Sequence, residues 1–232
     1  MLIYLVGDRG DGKSLTATKF ALKKPDTITN FPIKKKDNTR LQVKHIFKPK
    51  DITAKTKKDR FTVNWDWWEK KKNYEIFIDE AYQNFSNRNS NSIENTLWSS
   101  WLAQSRKILG NQGHASTLEK IFRLPPEIFN KVMPKYINQT SNFWAISQTV
   151  RKVEVNFREL VNLLIVCKQI KMPNGQITQC NCYKADIITD AIENLQYAKP
   201  KSFYFKSNPY YGKYDTDFFV REVDIYNQEC YL

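Results

Sequence analysis

The stretch that most constrains this chain stands at its beginning: "MLIYLVGDRGDGKSLTATKF". Gly7, Gly12, Lys13 and Ser14 satisfy the spacing Gly-x-x-x-x-Gly-Lys-Ser/Thr, and three of the chain's seven glycines, Gly7, Gly10 and Gly12, fall here. Such a match acquires meaning from its context. Leu2–Val6 ahead of it is apolar, with the β-branched and aromatic bias of a buried strand. "SLTATKFALKK" behind it reads as a helix that ends before Pro25, with Leu15, Phe20 and Leu22 on one apolar face. A strand turning through glycines into a helix points successive backbone N–H groups at an anion. Here these are the groups of Gly7, Asp8, Arg9, Gly10, Asp11, Gly12, Lys13, Ser14 and Leu15. Lys13 is then placed for the β- and γ-phosphates of a nucleoside triphosphate, and the Ser14 hydroxyl for Mg²⁺. The expected ligands are ATP and Mg²⁺.

A second stretch, "YEIFIDEAYQNF" at 74–85, supplies carboxylates. Ile76, Phe77 and Ile78 read as a buried strand with Asp79 and Glu80 at its C-terminal end. In parallel α/β sheets ligands bind beyond the carboxyl ends of the strands, so both acids are expected to face the glycine loop. Asp79 is expected to hold Mg²⁺ through water, and Glu80 to orient and deprotonate the attacking water. A glutamate directly after the aspartate suits hydrolysis better than transfer to a small molecule. "NFWAISQ" at 142–148 reads as a further apolar strand whose tip, Gln148, is placed to touch the γ-phosphate.

Length and composition bound the rest. A chain of 232 residues with 41% hydrophobic and 14% aromatic residues buries a full core. We read it as a single α/β domain over 1–232: a core to about 170, a basic insertion at about 33–60, and a C-terminal hairpin and tail extension from about 171. No apolar run reaches the roughly 18 residues of a membrane span, and no signal peptide is visible. Four cysteines, Cys167, Cys180, Cys182 and Cys230, lack both zinc-ligand spacing and nearby histidines, and read as reduced structural thiols. The formal charge is +13, and it is local: residues 31–60 carry eleven Lys or Arg against three Asp. Such a face favours a polyanion, nucleic acid first, and Lys34, Lys35 and Lys36 are the candidate DNA contacts.

Elsewhere, "DTITNF" at 26–31 reads as a short strand, and Leu41-x-Val43 as a hint of another. Trp65, Trp67 and Trp68 read as bracing a helix against the core. Residues 92–109 read as a helix through Ile93, Leu97, Trp101 and Ile108. Residues 110–141 read as an irregular insertion with one short helix, "EIFNKVM", started by Pro125-Pro126. "NFREL" reads as a turn into a strand, followed by a Pro-Asn-Gly hairpin and a returning strand. The aromatic tail from 197 reads as packing on the core.

The order of these pieces resembles the FtsK–HerA superfamily of DNA-pumping ATPases: a glycine loop after the first strand, "TNF", "IDEAYQNF", "SRK" before a strand ending "ISQ", then "FREL". "KYDT" at 213–216 is a further echo. Within the superfamily the chain is similar to compact viral genome-packaging ATPases and to the Zot-like assembly ATPases of filamentous phages. The resemblance implies a RecA-like P-loop NTPase core, a mostly parallel central sheet flanked by helices. It also implies a homo-oligomeric ring, usually hexameric, threaded by DNA, and an arginine donated across the subunit interface. Arg106 in "SRK" is the first candidate and Arg158 in "FREL" the second. Zot-like proteins commonly carry a membrane segment after the core, which this sequence lacks. The expectation is therefore a packaging motor for double-stranded DNA. It would work in the cytoplasm of an infected cell or associated with the virion, beside capsid or membrane proteins. The alternatives are Zot-like extrusion of single-stranded DNA and a non-motor nucleotide switch.

Overall fold

The computed structural model describes residues 1–31, 33, 53–55, 61–81, 93–109, 113–149, 155–184 and 199–214. Lys34, Lys35 and Lys36, the Leu41-x-Val43 alternation, Cys230 and the tail beyond 214 lie outside the described residues. The strands are β1 (Leu2–Val6), β2 (Thr27–Thr29), β3 (Thr53–Lys55), β4 (Phe61–Val63), β5 (Glu75–Ile78), β6 (Phe143–Ser147), β7 (Leu163–Met172), β8 (Gly175–Lys184) and β9 (Lys201–Lys206). The helices are α1 (Lys13–Ala21), α2 (Trp65–Glu69), α3 (Ile93–Leu109), α4 (His114–Arg123), α5 (Pro126–Gln139) and α6 (Val155–Leu160).

Seven strands form one sheet in the order β2-β5-β6-β1-β7-β8-β9. The pairs from β2 through β7 are parallel, and β8 and β9 add antiparallel to the β7 edge. The physical cause is legible in β1, whose five residues are all buried, as a strand covered on both faces requires. Leu2, Tyr4 and Val6 face one cluster with Trp68 of α2, Trp98, Trp101 and Leu102 of α3, and Phe157 of α6. Ile3 and Leu5 face the other, with Ala17 and Phe20 of α1, Leu118 of α4, and Phe129, Met133 and Ile137 of α5. The result is a helix–sheet–helix sandwich, the expected mostly parallel α/β fold. The tryptophans brace as expected: Trp68 lies 4.9 Å from Trp101 and is wholly buried, and the Asn64 side chain caps the short helix that carries it.

Three expectations are corrected. The stretch at 110–141, expected to be irregular with one short helix at 127–133, contains two helices, α4 and α5; α5 starts at the proline pair as expected but runs on through Pro134. Phe129, Met133 and Ile137, spaced by four, bury one stripe of α5 on the sheet, and this packing outweighs the proline's helix-breaking cost. "NFREL" lies within α6, a helix rather than a turn. Leu22 stands at the exposed C-cap of α1, outside the buried face.

The end of the sheet remote from the glycine loop is tied by a buried carboxylate. Glu75 accepts from Asn142 N (3.0 Å), Asn142 Nδ2 (2.8 Å) and Trp144 Nε1 (2.6 Å), with Lys24 Nζ at 3.6 Å. Burial pushes its pKa up, against the pull of Lys24 and these donors.

Helix α1 carries a second buried charge. Lys19 is 6% exposed, its ammonium 4.0 Å from the Phe205 ring centroid and beside Phe20 and Phe203. Burial lowers its pKa to about 8, against roughly 10.4 for an unfolded lysine. Between these values the unfolded chain holds the extra proton, so stability rises with pH from about 8 to 10.4, and the full penalty is felt below 8. Lys19→Met should therefore raise stability at pH 7 by about 1–2 kcal/mol and remove that alkaline rise. Urea midpoints at pH 7 and 9.5 check it; a destabilised variant would mean the cation–π contacts outweigh desolvation.

Candidate functional site

Parallel pairing brings three strand ends to one place. Val6 of β1 pairs with Ser147 of β6, and Ile78 of β5 with Ala145 of the same strand. Gly7, Gln148 and Asp79 therefore leave the sheet together at its carboxyl end, with β6 separating the glycine-loop strand from the acidic strand.

The loop has the geometry of a phosphate cradle. Gly10 and Gly12 adopt φ 88° and 89°, a left-handed conformation costly for any other residue. At Gly12 a Cβ would also overlap Gln169 Nε2 and lie 3.1 Å from Thr178 Cγ2. Gln169, Thr178 and Ser207 close a hydrogen-bonded triangle at 2.8, 2.8 and 3.2 Å, so the C-terminal extension backs the loop. Gly12 is the N-cap of α1 without any side-chain cap, which leaves the first N–H groups of the helix available to an anion. Asp8, Arg9 and Gly10 are exposed, Asp11 half-buried with its carboxylate accepting from Asp8 N (3.0 Å). Ser14 is half-buried, whereas the Leu15 side chain is in the core, so only the Leu15 backbone can face a phosphate. Lys13 Nζ donates to Gly7 O (2.8 Å) and Asp8 O (3.0 Å), folded over the loop it would serve.

Across from it, burial pushes the Asp79 carboxyl up to about 6; the Glu80 N–H and the Lys13 charge pull it down, and the Glu80 charge adds to the rise. Glu80 N donates to Asp79 Oδ1 at 2.9 Å. Glu80 itself has φ 49°, a conformation that costs about 1–3 kcal/mol in a non-glycine residue and clusters at functional sites. Its Oε2 is buried with no hydrogen-bond partner among the described residues. Among the described residues no group of three or more His, Cys, Asp or Glu could hold an ion alone. This donor set of one hydroxyl and carboxylates fits Mg²⁺, which takes one or two protein oxygens and completes its shell with phosphate and water. Ser14 and Asp79 would hold it.

Asn30, next to last in the expected strand "DTITNF", is a residue that sequence reasoning missed. Its Nδ2 donates to Asp79 O (2.9 Å) and its Oδ1 accepts from Asp79 N (2.7 Å). Tyr214, within "KYDT", forms a β-bridge to Ile33 and lies within electrostatic reach of Asp79. Gln148 is half-buried at the tip of β6. Arg106 stands in the last turn of α3. Arg158 is half-buried on α6, close enough to Tyr4 for its charge to act on that hydroxyl, and its Nε is buried without a partner among the described residues.

No family model and no curated protein matches the chain. Among solved structures it is similar to the N-terminal domain of zonular occludens toxin from Neisseria meningitidis, with TM-score 0.50 and 16% identity. That match covers 92% of this chain and 98% of that one. The chain has a P-loop NTPase fold. It is also similar to the genome packaging NTPase B204 of Sulfolobus turreted icosahedral virus 2, solved with ATP-gammaS, at TM-score 0.33 and 13% identity over 75% of this chain and 77% of that one. The P-loop fold explains why the cradle and the acidic strand end share one sheet edge while their strands are not neighbours: the strand between them, β6, brings Gln148 to the same place.

Proposed function

We propose that the chain is an ATP-hydrolysing DNA translocase. One observation carries the hydrolytic half: the uncapped glycine cradle with Lys13, the Asp79–Glu80 pair and Gln148 leave the carboxyl end of the sheet together, and Glu80 has a buried carboxylate oxygen without a partner among the described residues. Lys13 is positioned to exchange its two loop carbonyls for the β- and γ-phosphates. Glu80 takes the proton of the attacking water, and Gln148 orients that water or reads the γ-phosphate. Bound Mg²⁺ would neutralise charge on the β- and γ-oxygens. The DNA half is supported by the basic segment, where Lys34, Lys35 and Lys36 are the proposed phosphate contacts, and by the resemblance to DNA-pumping ATPases. The working form we propose is a hexameric ring around DNA, with Arg106, or failing it Arg158, donated between subunits.

The first reading of its task is packaging of double-stranded DNA into a virion, in the cytoplasm of an infected cell beside capsid proteins. The second is a Zot-like role in filamentous phage assembly, on single-stranded DNA and with membrane partners. The match, which covers 98% of the zonular occludens toxin domain, supports that second reading.

The experiment is phosphate release from Mg-ATP with no DNA, duplex DNA or single-stranded DNA over a salt series. Turnover should rise with DNA, and the better strand form chooses between the two tasks. Replacing Lys34, Lys35 and Lys36 together by alanine should weaken DNA binding for all sequences alike and lower the salt slope by about one unit per lost contact. Turnover indifferent to DNA and salt would instead leave a nucleotide switch.

A further inference from the structure

We infer that Asn30 is a positioning residue of the hydrolytic site, acting on the metal-binding geometry of Asp79; the inference rests on the hydrolytic reading above. The geometry begins where the β2–β5 ladder stops. Thr29 pairs with Phe77, and Asn30 N still donates to Phe77 O at 3.3 Å. The main chain then leaves the sheet, and two peptide groups on Asp79 lose the neighbouring strand that would have satisfied them. The Asn30 carboxamide takes its place, donating to Asp79 O at 2.9 Å and accepting from Asp79 N at 2.7 Å. A carboxamide carries the same donor and acceptor as a peptide unit, so one side chain continues the ladder by one residue.

What is held this way is the segment that sets the acids. Both backbone groups of Asp79 are fixed, Asp79 Oδ1 accepts from Glu80 N at 2.9 Å, and Glu80 turns through φ 49°. Any rotation of the Asp79 peptide would move both carboxylates together. The anchor itself is packed in place. Phe31 and Ile33, which follow Asn30, are buried in the cluster on the α1 face of the sheet. Thr29 Oγ1 donates to Phe31 O, and Ile33 is bridged to Tyr214. Asn30 thus reaches Asp79 from a turn pinned on both sides.

A purely structural amide would stabilise the fold without touching metal geometry. The two roles separate in the full-length chain through Asn30→Ala, with Asn30→Asp as a second variant that keeps the volume and one acceptor but loses the donor. The probe is Mn²⁺, followed by electron paramagnetic resonance in the presence of a non-hydrolysable ATP analogue, alongside steady-state kinetics with Mg-ATP. Outer-shell partners of metal ligands typically contribute 10–100-fold to metal affinity or activity. We expect Mn²⁺ affinity and kcat to fall by about 10–100-fold, with KM for ATP and metal-free affinity for the analogue unchanged. If Asn30→Ala does not fold, Asn30→Asp is read the same way. Mn²⁺ affinity and kcat within twofold of the parent in a folded variant would overturn the inference. So would an equal loss of metal-free nucleotide affinity, which would mean damage to the whole site. A parent chain that binds the analogue but shows no turnover would count against the hydrolytic reading alone, because the Mn²⁺ titration needs no turnover and still decides Asn30.

Discussion

Glu80→Gln should bind Mg-ATP as tightly as the parent chain and turn it over about 10²–10⁴-fold more slowly, the range a general base contributes. The substitution preserves shape and one acceptor and removes only the basicity. Glu80 is the right group to lose it. It follows Asp79 at the carboxyl end of β5, its N–H is tied to Asp79 Oδ1, and its Oε2 is buried with no partner among the described residues. Its left-handed backbone aims the side chain at some conformational expense, an arrangement that packing alone does not call for. Single-turnover phosphate release and analogue affinity check the prediction together. A fall in kcat with analogue affinity unchanged assigns the base; turnover within tenfold of the parent sends the role elsewhere, with Asp79 the next group to test.

Arg106→Ala should also bind ATP normally while losing about 10³-fold or more in turnover, the scale of an arginine finger. A planar, permanently charged guanidinium suits the charge that develops on a transferring phosphoryl group better than an ammonium does. Arg106 stands in the last turn of α3, whose core face, Trp98, Trp101 and Leu102, packs on the sheet side opposite α1. Among the described residues Lys13 is a cation of its own subunit that reaches Asp79, and a further cation donated from a neighbour would add to it. Mixing Arg106→Ala with Glu80→Gln should restore part of the activity, because some interfaces then join an intact Glu80 to an intact Arg106. Zero activity at every ratio, with mixed rings confirmed by mass, would count against Arg106 acting in trans and move the test to Arg158.

The pieces that short segments specify were legible in the sequence. Leu2–Val6, the glycine loop and the start of α1 follow from contiguous signals: apolar residues for a strand buried on both faces, then glycines for left-handed turns. The same holds for Ile76–Ile78 with its two acids and for the Pro-Asn-Gly hairpin between β7 and β8. In these segments backbone preference and burial pattern agree within ten or so residues, and no distant partner is needed to choose among alternatives. The length of α5 was obscured because Pro134 argues locally against continuing the short helix that Pro125-Pro126 starts, whereas the stripe Phe129, Met133 and Ile137 is stabilised only once a sheet face exists to receive it.

What the tertiary structure alone decided is how those pieces meet. Strand order placed β6 between β1 and β5, and with it Gln148 between the cradle and the acids. The pairing of Asn30 with Asp79, the sharing of Glu75 among Asn142, Trp144 and Lys24, and the bracing of Gly12 by Gln169 and Thr178 join residues far apart in the chain. None has a local signature, because a carboxamide or a buried glutamate reads in one dimension as an ordinary polar residue. Such a residue becomes specific only when burial removes water as its alternative partner, so that each donor and acceptor must find another within the fold. The sequence by itself therefore determined which chemical groups this protein carries and on which local scaffolds. Long-range packing determined which of them face one another.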